Sequence, residues 1–234
     1  MYFNELQALP VGSMFVFDTE CYSNYWLAAF KHLDSGKYIT FEQSPVSQLD
    51  CDKLLYMLSR FCLVGFNSLS YDWPMIHLAL KGVTCGELKQ ASDYIIQSGK
   101  NYGTEKVTSW VFAKNYELKL LKGNHIDLFN LCPVNGGITA NPASLKLYAG
   151  RLHAPHMQDL PFPPDYQLTQ ADAQIVLDYC CNDLDNTELL YNELKSEIAL
   201  RVSMSDQFQV DLRSKSDAQI AESVICKELQ KVCL

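Results

Sequence analysis

The chain has 234 residues, 48% of them hydrophobic, and a net charge of −8. That is enough apolar material for one substantial core with appendages; no run approaches the length of a membrane span, and Met1 to Pro10 lack the basic-then-apolar order of a signal peptide. The acidic balance excludes an unaided grip on duplex DNA through a basic face and leaves shallow nucleic-acid contact, or a partner that supplies the grip.

Met14-Phe15-Val16-Phe17 is a short apolar run ending at Asp18. Trp26 to His32 and Lys37 to Phe41 are separated by Leu33-Asp34-Ser35-Gly36, a hairpin turn, so three strands open the domain. Ser47 to Arg60 reads as a helix capped by Ser47, with Leu54, Leu55, Leu58 and Phe61 at helical spacing. Cys62 to Phe66 is continuously apolar, as a buried parallel strand is. Pro74 suits the first turn of a helix running to about Leu80. Thr84 to Gln97 reads as a further helix, Ser98 to Thr104 as a glycine-containing loop, and Val107 to Lys114 and His125 to Phe129 as strands. Pro142 and Ser144 open a short helix through Tyr148, and Pro155 to Pro164, with four prolines, reads as extended loop. Thr169 caps a long helix reaching Leu194 or Leu200. Ser203 to Ser216 is polar and loosely patterned, and helical spacing resumes from Ser216 to Cys233. Strands followed by alternating helices and strands indicate an α/β fold with a mixed central sheet flanked by helices. The last helix is either an ordinary C-terminal helix or the start of a following domain, so residues 1–202 and 203–234 are taken as separate units.

The nine cysteines form no C-x-x-C, and adjacent Cys180 and Cys181 point to different faces of a helix. Odd count and irregular spacing argue against a disulfide framework or a zinc site and fit a reducing, cytoplasmic setting.

Three separated motifs carry chemistry. In Asp18-Thr19-Glu20 the two carboxylates share a face if the first strand continues through them, at a strand end where α/β enzymes place their sites. Hard oxygen ligands at this spacing suit Mg²⁺ or Mn²⁺. Asn67-Ser68-Leu69-Ser70-Tyr71-Asp72 follows the apolar run of residues 62–66; Asp72 stands at the same sheet edge, or simply caps a helix. Asn67 can hold that loop through side-chain bonds to the backbone. Tyr179 and Asp183 are four residues apart and share a helix face with Val176 and Thr187, where a carboxylate on a core face calls for a cation.

In that order, D-x-E, N-x-x-x-Y-D and Y-x-x-x-D resemble the DnaQ-like (DEDD) superfamily of 3′-5′ exonucleases. Tyr179, four residues before Asp183, is similar to the signature of its tyrosine branch; the histidine branch has His at the place held here by Asp178. His125-Ile126-Asp127-Leu128 and Ser144-Leu145-Lys146 resemble segments between the second and third motifs, and Gly150-Arg151-Leu152-His153 with the proline-rich loop is similar to exonuclease domains of bacteriophage DNA polymerases. The resemblance covers about Met14 to Leu200. It implies a ribonuclease H-like sheet and two divalent ions held by Asp18, Glu20, Asp72 and Asp183. It also implies a water oriented by Tyr179 and release of nucleoside 5′-monophosphates. Thr19, Asn67, Tyr71, Trp73 and Lys146 are the implied substrate contacts; Lys146 either meets a phosphate or scaffolds the site. Tyr22, Tyr25, Trp26 and Trp73 are either stacking platforms or core, and His125, Asp127, Asp178 and Asp185 are neighbours without an assigned role. The implied partners are single-stranded DNA or a primer 3′ end and a polymerase domain in cis or in trans, in the host cytoplasm if phage-encoded. A freestanding RNA or oligonucleotide exonuclease and a catalytically silent interaction module remain as alternatives.

Overall fold

The computed structural model describes residues 1–98, 107–132 and 144–232. Five strands form one sheet: β1 (Met14–Tyr22), β2 (Tyr25–His32), β3 (Tyr38–Gln43), β4 (Cys62–Gly65) and β5 (Asn124–Asp127), in the order β3-β2-β1-β4-β5. β1, β2 and β3 pair antiparallel, while β4 and β5 run parallel to β1. This is the α/β architecture, a mixed sheet flanked by helices, that the order of apolar runs indicated. The helices are α1 (Phe3–Ala8), α2 (Cys51–Arg60), α3 (Asp72–Leu80), α4 (Cys85–Ser98), α5 (Ser109–Asn115), α6 (Leu145–Arg151), α7 (Gln170–Glu193), α8 (Lys195–Phe208) and α9 (Asp217–Val232).

Strand periodicity divides the interior into two layers. Phe15, Phe17, Trp26, Phe30 and Leu63 pack with α2, α3, α4 and Phe112 on one face of the sheet. Val16, Tyr22, Leu27, Val64 and Ile126 pack with Tyr148 of α6 and Val176, Cys180 and Leu184 of α7 on the other. β4 is buried on both faces, which explains its uninterrupted apolar run. Among the described residues no helix is long and apolar enough to cross a membrane, and eight cysteines are free.

Several elements differ from their expected form. Val107–Lys114 is not a strand: Thr108 caps α5 by accepting the Val111 N–H, and burial of Val107 and Phe112 with exposure of Trp110 and Lys114 follows a helical period. β5 stops at Asp127 because its carboxylate accepts the Phe129 N–H and turns the chain into a 3-10 turn over Phe129–Leu131. α2 starts at Cys51, capped by Asp50 rather than Ser47. The long C-terminal helix is two, α7 and α8, separated at Leu194 with neither Gly nor Pro at the break. The turn keeps Leu190, Leu194, Ile198 and Arg201 all buried. Met1–Pro10 contains α1, which buries Leu6 in the core. The Ser98–Thr104 loop, from Gly99 on, and Pro142 lie outside the described residues, whereas Ser144 caps α6.

The unit boundary at residue 202 falls inside α8. Beyond α8, Leu212 is fully buried, Ser214 Oγ accepts the Asp127 N–H at 2.9 Å, and the Arg213 guanidinium donates to Asn124 Oδ1. Residues 211–215 therefore cover the outer edge of β5. Arg201, 3% exposed, ties α8 to α9 through Asp217 at 2.7 Å and the Lys215 carbonyl at 3.1 Å.

Candidate active site

The site forms where β1 and β4 part. Their pairing covers only Met14–Val16 against Cys62–Val64, whereas β1 runs on to Tyr22 beside β2. Asp18 and Glu20 therefore lie beyond the last β4 partner, on a strand edge without a neighbour. Alternation puts both on the face of Val16 and Tyr22, toward α7, and Thr19 on the opposite face. Ala28 and Ala29 stand across from Thr19 and Asp18 on β2.

Asp72, the first residue of α3, reaches this edge from the other side. Its Oδ1 accepts the Thr19 amide at 3.1 Å and the Thr19 hydroxyl at 2.5 Å, so the carboxylate occupies the ladder position that β4 has left. Asp72 is 4% exposed. Thr19 thus acts on a carboxylate neighbour and holds it in place.

Asp127 builds the loop that delivers Asp72. Its Oδ1 accepts the Asn67 N–H at 2.8 Å and its Oδ2 the Leu69 N–H at 2.9 Å. Asn67 takes a positive φ of 57°, and Ser68 Oγ bonds His125 Nε2 at 2.8 Å. Gly65 lies under this turn: a Cβ there would meet Ser68 Oγ at 2.4 Å. Tyr71 is turned inward, its hydroxyl bonded to Ser92 Oγ at 2.6 Å. Trp73 is buried between the His77 and His125 rings, so it belongs to the core, and so do Tyr22, Tyr25 and Trp26. Of the two readings open for these four rings the core one holds: each is buried and fills a layer of the sheet.

α7 supplies the third side. Tyr179, Cys180 and Asp183 face β1, with Tyr179 8% exposed and Cys180 fully buried. Lys146 of α6 lies 5.9 Å from the Tyr179 ring and 3.0 Å from Asp159. Asp185 and Glu188 face the other way and pair with Lys31 at 2.6 and 2.5 Å. Asp178 accepts from Gln174 at 2.8 Å on the surface. Neither therefore competes with Asp183.

The electrostatics follow from crowding. Burial pushes the Asp18 carboxyl well above its usual range, and the charges of Asp72, Glu20 and Asp183 push it further. Burial likewise raises Glu20, with Asp183 and Asp72 adding to it. Asp72 is raised by burial to about 7, against the bonds from Thr19. Asp183 is raised by burial, offset by the Tyr179 hydroxyl and the Lys146 ammonium. The Tyr179 phenol is raised by burial and by Asp183 and Glu20, so it stays protonated at neutral pH.

Four carboxylates held together against desolvation and mutual repulsion fit a divalent cation, which reverses the sign of every such interaction. Oxygen atoms of Asp18 and Glu20 and the sulfur of Cys180 lie within 4.8 Å of one another. Burial and the charges of Asp18 and Glu20 keep the Cys180 thiol protonated, so the donor set is the carboxylates. Cys180 and Asp127 have no role in the sequence motifs. A period of 3.6 puts Cys180 on the core face of α7 with Val176 and Leu184, which is a legible signal; the loop-bracing part of Asp127 has none. Comparison of the chain with protein-family models, curated proteins and solved structures finds no match.

Proposed function

We propose that this chain is a metal-dependent 3′-5′ exonuclease that hydrolyses single-stranded or frayed DNA 3′ ends to nucleoside 5′-monophosphates, in the cytoplasm and as the proofreading partner of a polymerase domain. One observation carries the reading: Asp18, Glu20, Asp72 and Asp183 come from three separated segments, and at the open edge of β1, beside a protonated Tyr179, the charges of Asp72 and Asp183 act on both Asp18 and Glu20.

Asp18, Glu20, Asp72 and Asp183 would hold the cation, with Asp18 nearest in charge interaction to the other three. Mg²⁺ or Mn²⁺ bound there supplies an activated water and charge neutralisation at the phosphate. Tyr179 is a hydrogen-bond donor and orients the attacking water, since its raised pKa disqualifies it as a base. Lys146 is half-exposed at the rim and meets the phosphate of the terminal nucleotide. Thr19 and Asp127 position Asp72 and its loop without touching substrate. The water oxygen bonds to phosphorus, the P–O3′ bond breaks, and the departing 3′ oxygen takes up a proton.

The test is a gel assay on 5′-labelled single-stranded DNA with Mg²⁺ or Mn²⁺. A ladder shortening from the 3′ end is expected, absent with EDTA and in Asp18→Ala. Full activity in a folded Asp18→Ala protein refutes the site. Faster cleavage of matched RNA replaces DNA as the substrate.

A further inference from the structure

The geometry points to the outer face of α5 as a stacking platform for single-stranded nucleic acid, with Trp110 as the base-stacking ring and Lys114 as its phosphate contact; this rests on the nucleic-acid reading above. Trp110 is 70% exposed, whereas Trp26 and Trp73 are 0% and 4% exposed. A tryptophan this open covers no core and forms no aromatic pair among the described residues, which leaves its ring face free to meet a ligand. Lys114 lies one helical turn on, its ammonium 5.5 Å from the indole centroid. Aromatic rings interleaved with cations bind unpaired bases irrespective of sequence.

The platform is anchored to the candidate site. Ser109, which precedes Trp110, donates its hydroxyl to the Leu69 carbonyl. Leu69 lies three residues before Asp72, and its N–H is fixed by Asp127. Leu69 also lines, with Lys122, a surface hollow of about 380 Å³. Charge complementarity supports the same occupant. Lys31, Lys37, Lys53, Lys89 and Lys146 are ion-paired, whereas the exposed Lys114, Lys119 and Lys122 have no ion pair among the described residues. Lys114, Lys119 and Lys122 lie close together in sequence, interrupted by one acid, Glu117, in a chain of net charge −8.

The buried state of the other two tryptophans makes the test direct. In EDTA, titration of the intact protein with short oligothymidylate is expected to quench tryptophan emission saturably. Trp110→Phe abolishes the quench, because the exposed indole that responds is removed while Trp26 and Trp73 stay buried. Trp110→Ala raises KM by about 5- to 100-fold. Lys114→Gln lowers the slope of log K against log salt by about 0.7. Cleavage with no quench, and an unchanged KM in Trp110→Ala, overturns the platform; so does a quench that persists in Trp110→Phe. A saturable, Trp110-dependent quench without cleavage sustains the platform and overturns the hydrolytic reading instead.

Discussion

Gly65→Ala probes how the second acidic motif is held. The added Cβ would stand 2.4 Å from Ser68 Oγ and 2.5 Å from Ser68 Cβ, against ordinary contacts of 3.4–4 Å. Ser68 must therefore retreat by about 1 Å. It cannot simply rotate, because its Cβ is in the way and its hydroxyl is bonded to the buried His125. Overpacking of this kind costs about 1–3 kcal/mol, a Tm loss of about 2–12 °C for a chain of this size. The loop between Gly65 and Asp72 transmits the shift, and a misplacement near 1 Å at a catalytic group costs on the order of 100-fold in rate. Differential scanning fluorimetry and the gel assay, run on Gly65→Ala, Ser68→Gly and the double variant, read both effects. Removing the Ser68 side chain relieves the clash, so the double variant is expected to be more stable than the sum of the single losses predicts. An unchanged Tm and rate in Gly65→Ala, or strict additivity, refutes the coupling of Gly65 to the Asp72 loop.

Asp72→Asn tests the electrostatics. With EDTA present, folded Asp72 keeps its proton up to about 7, whereas the unfolded carboxyl loses it near 3.8. Between those values the folded state binds more protons, so this group removes stability as pH rises. The Tm of wild type minus that of Asp72→Asn should fall from pH 4 to 7, and Mn²⁺ at pH 8 should recover the wild type; a flat difference contradicts the raised pKa. Asp127→Asn keeps the Oδ1 bonds to Asn67 and Phe129 but turns an amide donor toward the Leu69 N–H. A loss of about 1–3 kcal/mol by denaturant unfolding is expected, and no loss would mean the loop does not depend on this carboxylate. Tyr179→Phe should lower kcat by about tenfold, the worth of one hydrogen bond, with KM little changed. A shift in the alkaline limb of the pH–rate profile would instead show that the phenol titrates in the cycle.

Features that depend on local periodicity can be read along the chain. Asp18 and Glu20 share a face because a strand repeats every two residues, and Tyr179 and Asp183 do so because a helix repeats every 3.6. The doubly buried β4, the Thr169 and Ser144 caps and the mixed α/β layering were legible for the same reason. Val107–Lys114 misled because β-branched and aromatic residues favour strands only when a sheet edge receives them. Here Asp211–Lys215 covers the edge of β5, and a cap at Thr108 starts a helix. The remaining features come from contacts between distant segments. Thr19 clasps Asp72 across 53 positions, Asp127 braces a loop 60 residues earlier, and Ser109 docks on Leu69 from 40 residues away. Trp73 and Trp110 are chemically the same residue, yet one is sealed between two imidazoles and the other stands in water. Such assignments depend on which surfaces meet when the layers close, and no window along the chain contains both partners.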